Sequence, residues 1–468
     1  MSPKPLNNTK KGKTMKSPRL RLSHRRTASG ALALITIGAL AALSGCASTD
    51  QSASDTAATF SPVAQDNTSE ITVWADSTRL PAVQAYQKLN PDVKMNIVTY
   101  DGSADGSTYL QTKVQLFDRT GSGWPDVVFG SPTDVTWASQ PTTAGSVPFA
   151  APLDEGLVDQ STLDNFAKGS LTPCEFDGHT YCLRNDIAQV VLWYNKALMD
   201  QWGYQVPTTW EEYEALGVKV GQEHPGYLVG AVGDTNSQES YFWSSQCPAQ
   251  QLQDDGTLRV ALQDTNCTRM ASLLDNLIAA KSVTTQGFFS QGFDGSKVLM
   301  ANGPSWYGQY LFNSAFNTPA GQIAAANPLK WDGESDAYTG NVGGGVWMVS
   351  SHSKNLAAST ALTKWLTTSD ANLQSAPTYP AYTPGATTWL ANPANSSYFA
   401  DDISGPFETA ANQVWTGWSN TKFSDATAWS SVVLPAITAG KTLTETLPAW
   451  QSAIVNEAQS VGYTVTTK

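Results

Sequence analysis

Residues 71–129, opening with Ile71-Thr72-Val73-Trp74 and closing with Asp126-Val127-Val128-Phe129, decide the fold class. Both quoted runs are short and apolar, as strands buried on both faces are. Between them, Pro81 to Leu89 reads as a helix opened by proline, and Val93 to Tyr100 alternates as a strand. Thr108 to Phe117 reads as a second helix. This alternation predicts an α/β fold, a mostly parallel sheet with helices on both faces. The theme returns in strand Val190–Tyr194, helix Lys196–Trp202 and helix Thr209–Gly221 behind a threonine cap. Helices Thr268–Lys281 and Lys354–Thr367 are the clearest later ones, and no internal repeat is visible. About 400 residues follow Ile71, more than one core usually serves, so two lobes are expected.

Upstream, the first 30 residues carry nine Lys and Arg and no acid, and an apolar run follows from Ala31 to Leu43. A basic head, a short apolar core and small residues before a cut describe a secretory signal peptide over 1–45. That core is shorter than the roughly 20 residues a membrane-spanning helix needs. Leu43-Ser44-Gly45-Cys46 resembles the bacterial lipobox. The resemblance implies a lipid on the Cys46 thiol and a protein anchored at the extracellular face of the bacterial cell membrane. Residues 46–69 are Ser, Thr, Ala, Asp and Gln with almost no apolar periodicity, which predicts a flexible tether.

The full chain has 28 basic and 40 acidic residues. Removing the nine basic residues of the signal leaves 19 against 40, a net of −21. Such a body repels nucleic acid and anionic headgroups, so no nucleic-acid partner is expected. Beyond Cys46 the cysteines are Cys174, Cys182, Cys247 and Cys267, an even remainder that reads as two disulfides in an exported protein. Three pairings are possible. Cys174–Cys182 and Cys247–Cys267 are favoured, because Asp177-Gly178 is a hairpin signal between the first two. No Cys-x-x-Cys pair or neighbouring histidine set suggests a metal, and no cofactor is expected.

Five segments together resemble the extracellular solute-binding proteins of carbohydrate ABC importers, the group that includes maltose-binding protein. They are Ile71 to Asp76, Trp124 to Phe129 with Asp134 and Ala151-Pro152-Leu153-Asp154, and Asp177 to Tyr181 running to Val191-Leu192-Trp193-Tyr194-Asn195-Lys196 and Pro207 to Glu212. Met300 to Trp306 and Gly343-Gly344-Gly345-Val346-Trp347 complete the set. The resemblance covers residues 71 to about 385 and implies a periplasmic-binding-protein-like fold: two lobes, a hinge, and a ligand cleft between the lobes. By position, lobe one is expected over 70–187 plus 344–395, and lobe two over 188–343 plus 396–468. The crossings would fall near Asp186, near Gly344, and between Tyr382 and Pro406. The implied partners are a carbohydrate and ABC permease subunits; a monomer is expected, touching the membrane through its anchor only.

The side chains speak for sugar independently. The chain has 16 Trp and 16 Tyr with only 15% charged residues. Aromatic faces pack on the C–H faces of sugar rings, while acids and amides bond the hydroxyls. Asp76 and Ser77 follow the first strand, and Asp134 lies beyond the strand ending at Phe129, where open α/β sheets bind ligands. The resemblance adds Asp186 at the first crossing, and Trp306 and Tyr307 as an aromatic platform. Gly344 and Gly345 allow close approach of a ligand or of a neighbouring strand. Tyr382, Trp415 and Trp418 are weaker candidates. Many relatives carry proline where this chain reads Leu183-Arg184-Asn185, and Arg184 there could meet hydroxyls or the carboxylate of an acidic sugar.

A secreted hydrolase is the rival reading. Four histidines, no Gly-x-Ser-x-Gly, no His-Glu-x-x-His and no phosphate loop argue against it. A carboxylate pair for glycoside cleavage stays open among 40 acids. The same fold binding a non-sugar solute is the other alternative; such ligands usually need charged clamps.

Overall fold

The computed structural model describes residues 60–100, 108–142 and 146–468. The signal peptide, Cys46 and the first part of the tether lie outside them. β1 (Ile71–Ala75), α1 (Leu80–Leu89), β2 (Met95–Thr99), α2 (Thr108–Thr120), β3 (Val127–Gly130) and α3 (Pro132–Ala138) alternate. Val73, Val127, Val128 and Phe129 are fully buried, which is why these strands read as unbroken apolar runs. A hairpin of β4 (Glu175–Phe176) and β5 (His179–Thr180) turns at Asp177 and Gly178, both in the left-handed region. Cys174 and Cys182 are disulfide-bonded across it. β6 (Leu183–Arg184) follows at once, then β7 (Val190–Asn195) and β8 (Gly230–Ala231). Beyond these lie β9 (Gln251–Leu252), β10 (Leu258–Arg259), β11 (Val283–Thr284), β12 (Met300–Pro304), β13 (Ile323–Ala326), β14 (Val346–Val349) and β15 (Val465–Thr466). Cys247 is bonded to Cys267 near the start of the helix Thr265–Ala279.

The strands form two main sheets, one per lobe. The first runs β2-β1-β3-β14-β6, parallel through its first three strands, with β14 antiparallel to both its neighbours. The second has β7 between β12 and β13, antiparallel to each. Beside β12, a parallel pair β8–β11 is joined through the bridge between Leu228 and Val298. The chain leaves the first sheet at Arg184, enters the second at Val190, and returns through Gly340–Gly345 to β14. These two passages pair with each other, Val342 N–H donating to Ala188 O at 3.0 Å and Asn185 N–H to Gly345 O at 2.9 Å. A third stretch runs alongside, Ile187 N–H donating to Tyr379 O at 3.3 Å. The chain regains the second sheet where Ala400 N–H meets Ile323 O.

Residues 60–69 lie against the first lobe rather than hanging free, which corrects the tether reading for that stretch. Asp66 N–H donates to Lys354 O at 2.7 Å, and Gln65 Oε1 accepts from Leu356 N–H at 2.9 Å. Leu356 begins the helix Leu356–Thr368, whose first amides have no partner within the helix. Polar side chains that read as solvated therefore find backbone groups to satisfy.

Candidate ligand-binding cleft

Two sets of strand ends converge. From the first lobe come the carboxyl ends of β1 and β3, where open α/β sheets collect ligands. The Asp76 carboxylate accepts from Arg79 N–H at 2.8 Å and pairs with its guanidinium at 3.2 Å. Ser77 beside it is exposed. The Arg79 guanidinium lies 4.4 Å above the Phe129 ring. From the second lobe, the strand end at Pro304 leads into Trp306 and the π-helical stretch Tyr307–Ala315, a form of helix common at functional sites. Burial raises the pKa of Tyr310, and Arg79, Asp186 and Asp76 all act on it electrostatically, so it faces the first lobe's acidic and basic groups. The Arg79 guanidinium also acts on the Tyr310 hydroxyl as a hydrogen-bond donor, which holds the two side chains against each other.

The candidates named from sequence divide. Trp306 is half-buried, and its indole N–H donates to Val342 O at 2.9 Å, so only the ring face would be left for a ligand. Tyr307 is 7% exposed and packs where a Cβ on Gly303 would stand 2.2 Å from its ring, so it backs Trp306 from behind. Asp134 is 5% exposed and closes a capping box with Ser131 at the start of α3, also accepting from Trp137 at 3.2 Å. Asp186 is 2% exposed, and its carboxylate accepts from Gly345 N–H at 2.7 Å. Gly345 is needed because a Cβ would sit 2.2 Å from the Phe129 ring. Gly345→Ala should therefore cost about 1–3 kcal/mol in urea unfolding, and an unchanged midpoint would show that Phe129 moves aside freely. Tyr382 packs edge-on to Phe166 instead. Trp418 stacks on Trp243 in the core, and the Trp415 carbonyl accepts from Trp243.

Arg184 is fully buried, which corrects the expectation that it could meet a ligand. Its guanidinium donates to Asp186 O at 3.1 Å, Ile187 O at 3.2 Å, Asn341 Oδ1 at 3.1 Å and Gly343 O at 2.9 Å. It thus laces the two crossing passages together. Desolvation draws its pKa down to about 10, which leaves it charged at neutral pH. Gly344, at φ +79°, is the complement: a Cβ there would stand 2.6 Å from Arg184 Nη2. Behind the passage, Glu239 accepts from Gly343 N–H at 3.2 Å.

Burial holds the Glu239 carboxyl well above its usual range; the nearby Asp425 adds to this, and Arg184 opposes it. Asp425 is itself raised by burial. A carboxyl raised on folding gives stability that is whole below its unfolded pKa and fades as pH climbs through its folded one. Unfolding free energy should accordingly fall as pH rises above the ordinary carboxylate range. Glu239→Gln, which keeps an acceptor for Gly343, should make that slope shallower; an identical slope would show that Glu239 does not titrate there.

Sequence reading missed Arg79, Phe129 and Tyr310. Arg79 gave a signal, since a cation at the start of a helix opposes its dipole and needs another reason. Two open hollows lie elsewhere: about 540 Å³ beneath Phe60 and Gln65, and about 900 Å³ between Phe176 and Tyr463. Neither is lined by Asp76, Arg79, Trp306 or Tyr310, and the strand ends carry the better chemistry. Among the described residues no group of three His, Cys, Asp or Glu is placed to hold a metal.

The bacterial extracellular solute-binding protein family matches residues 71–373 of this chain. The chain belongs to that family. No curated protein matches the solute-binding protein in sequence. Solved structures share its fold. The ABC transporter associated binding protein of Bifidobacterium animalis subsp. lactis Bl-04, in complex with β-1,6-galactobiose, is 19% identical with a TM-score of 0.67. It matches over 86% of this chain and 100% of its own. The galacto-N-biose/lacto-N-biose I-binding protein of Bifidobacterium longum, in complex with lacto-N-biose, gives 19% and 0.69 over 86% and 100%. The GacH receptor of Streptomyces glaucescens, solved unliganded and with acarbose, gives 19% and 0.64 over 84% and 99%. Family and neighbours are binding proteins rather than enzymes. No described helix is long and apolar enough to cross a membrane.

Proposed function

We propose that this solute-binding protein captures a sugar between its lobes and delivers it to the permease of an ABC importer, without turning it over. The observation that carries the reading is Trp306, whose face is presented while its N–H is engaged by the hinge. It stands on the second lobe beside Tyr310, which faces the Asp76–Arg79 pair of the first. An aromatic face with a hydroxyl, a carboxylate and a guanidinium around it suits a ring that is apolar on its face and hydroxylated at its rim. Because Arg79 is matched by Asp76 and Arg184 is buried, the arrangement favours a neutral sugar over an acidic one. Asp76, Ser77 and Trp306 would touch the ligand, with Asp186, Gly344 and Gly345 shaping the hinge beneath. The lobes would divide as 70–187 with 344–395 and 188–343 with 396–468, in keeping with sheet membership.

Calorimetry on the soluble form starting at Ala47 tests this against galactose, glucose, β-1,6-galactobiose, lacto-N-biose and maltotetraose. At least one should bind at micromolar Kd or tighter, about −8 kcal/mol. Silence across the panel would overturn the reading, and release of reducing sugar from maltotetraose would restore the hydrolase. We also propose that Cys46 carries a lipid anchor at the outer face of the membrane. Cys46→Ala should move the protein from the membrane fraction to the medium; retention on membranes would refute the anchor.

A further inference from the structure

Phe289 is half in solvent, at 50% exposure, whereas Phe288 beside it is buried at 3%. Single exposed apolar residues are ordinary on protein surfaces. Three observations set this one apart. Its ring centroid lies 6.1 Å from that of Trp306, with the two planes 34° from parallel, so the rings are direct neighbours. Tyr307 stands edge-on to both, 4.9 Å from Trp306 at 79° and 6.2 Å from Phe289 at 68°, and its own burial fixes it as a common buttress.

The third observation is that the backbone under Phe289 is held. Phe288 N–H donates to the Asp234 carboxylate at 3.1 Å, and a Cβ on Gly287 would stand 2.3 Å from the same carboxylate. The Asp234 carbonyl in turn accepts from Trp429 at 3.1 Å. Phe289 thus follows the carboxyl end of β11 on a fixed loop, as Trp306 follows the carboxyl end of β12. β11 is parallel to β8, and the Leu228–Val298 bridge that leads into β12 is parallel too, so both rings crown the same edge. A rigid ring loses little entropy on taking a ligand.

We propose that Phe289 is a second ring platform adjoining Trp306, so that the cleft binds a carbohydrate of at least two linked sugar units, one on each ring. This rests on the sugar-binding reading and deepens it. Trp306 is bonded to Val342 of the hinge, so the unit on it lies inward and the unit on Phe289 outward. Phe289 has no polar atom to offer, so it contributes area under a ring's C–H face and leaves hydroxyl recognition to the inner groups.

The test is calorimetry of Phe289→Ala, Phe289→Tyr and Phe289→Leu against the tightest-binding oligosaccharide of the panel and its constituent monosaccharide. Phe289→Ala should weaken the oligosaccharide about tenfold, the order of one good ring contact, and leave the monosaccharide within about twofold. Phe289→Tyr should retain the affinity, and Phe289→Leu, apolar but not flat, should lose it as alanine does. Equal losses on both ligands, no loss on the oligosaccharide, or a wild-type protein that binds only the monosaccharide would each overturn the second platform while leaving sugar binding intact. No binding of any sugar by the wild type would instead fell the underlying reading. Far-UV circular dichroism of the variants confirms that a loss is not misfolding.

Discussion

Arg184→Met should lower the unfolding free energy by about 3–5 kcal/mol, read as an earlier urea midpoint at unchanged m-value. The side chain fits by volume, so the loss comes from polar groups left behind. Three carbonyls, of Asp186, Ile187 and Gly343, and the Asn341 amide oxygen would each lose a donor, all but the part-buried Gly343 in buried positions. Glu239 would lose the cation that favours its charge. Arg184→Lys should recover only part of the loss, because an ammonium cannot reach with the fork of a guanidinium. A loss under about 1 kcal/mol for methionine would mean that the passages re-pair without it. The same variant tests the hinge, since these bonds tie the two passages about which the lobes would turn.

Trp306→Ala should weaken the tightest sugar at least about tenfold, or about 1.4 kcal/mol, with the fold intact. The indole N–H is bonded to Val342 O; on the proposed reading its face would also meet the ligand, and alanine would remove both. Trp306→Phe separates the two: it keeps a flat face and drops the N–H. If stacking dominates, phenylalanine should restore most of the affinity; if the hinge bond dominates, it should behave as alanine. An unchanged Kd in Trp306→Ala would take this residue out of the site and the aromatic shelf with it.

The first sheet was legible because strands covered on both faces must be apolar throughout, and Ile71, Val73, Val127 and Phe129 declare that locally. The Cys174–Cys182 hairpin was legible for a similar reason, since Asp177-Gly178 supplies the left-handed turn from neighbouring residues. Arg184 was not. From sequence it reads as a cation that could meet a ligand, and its decisive partners, Asn341 and Gly343, lie 157 and 159 residues away. The engagement of Asp186 with Gly345, 159 residues away, is equally invisible. Phe289 was hidden by its neighbour: two adjacent phenylalanines look like core, and only the fold turns one inward and the other out. Asp134 illustrates the converse, an acid at the right strand end whose oxygens serve its own helix.

The docking of Gln65 and Asp66 on the residues that lead into the helix Leu356–Thr368 has a mechanical consequence. Whatever pulls on residues 60–69 pulls on the first lobe, where their described hydrogen bonds lie. With Cys46 acylated, that lobe would be the stator moored to the lipid and the second the rotor, so the swing of closure would be delivered wholly by the half that carries Trp306.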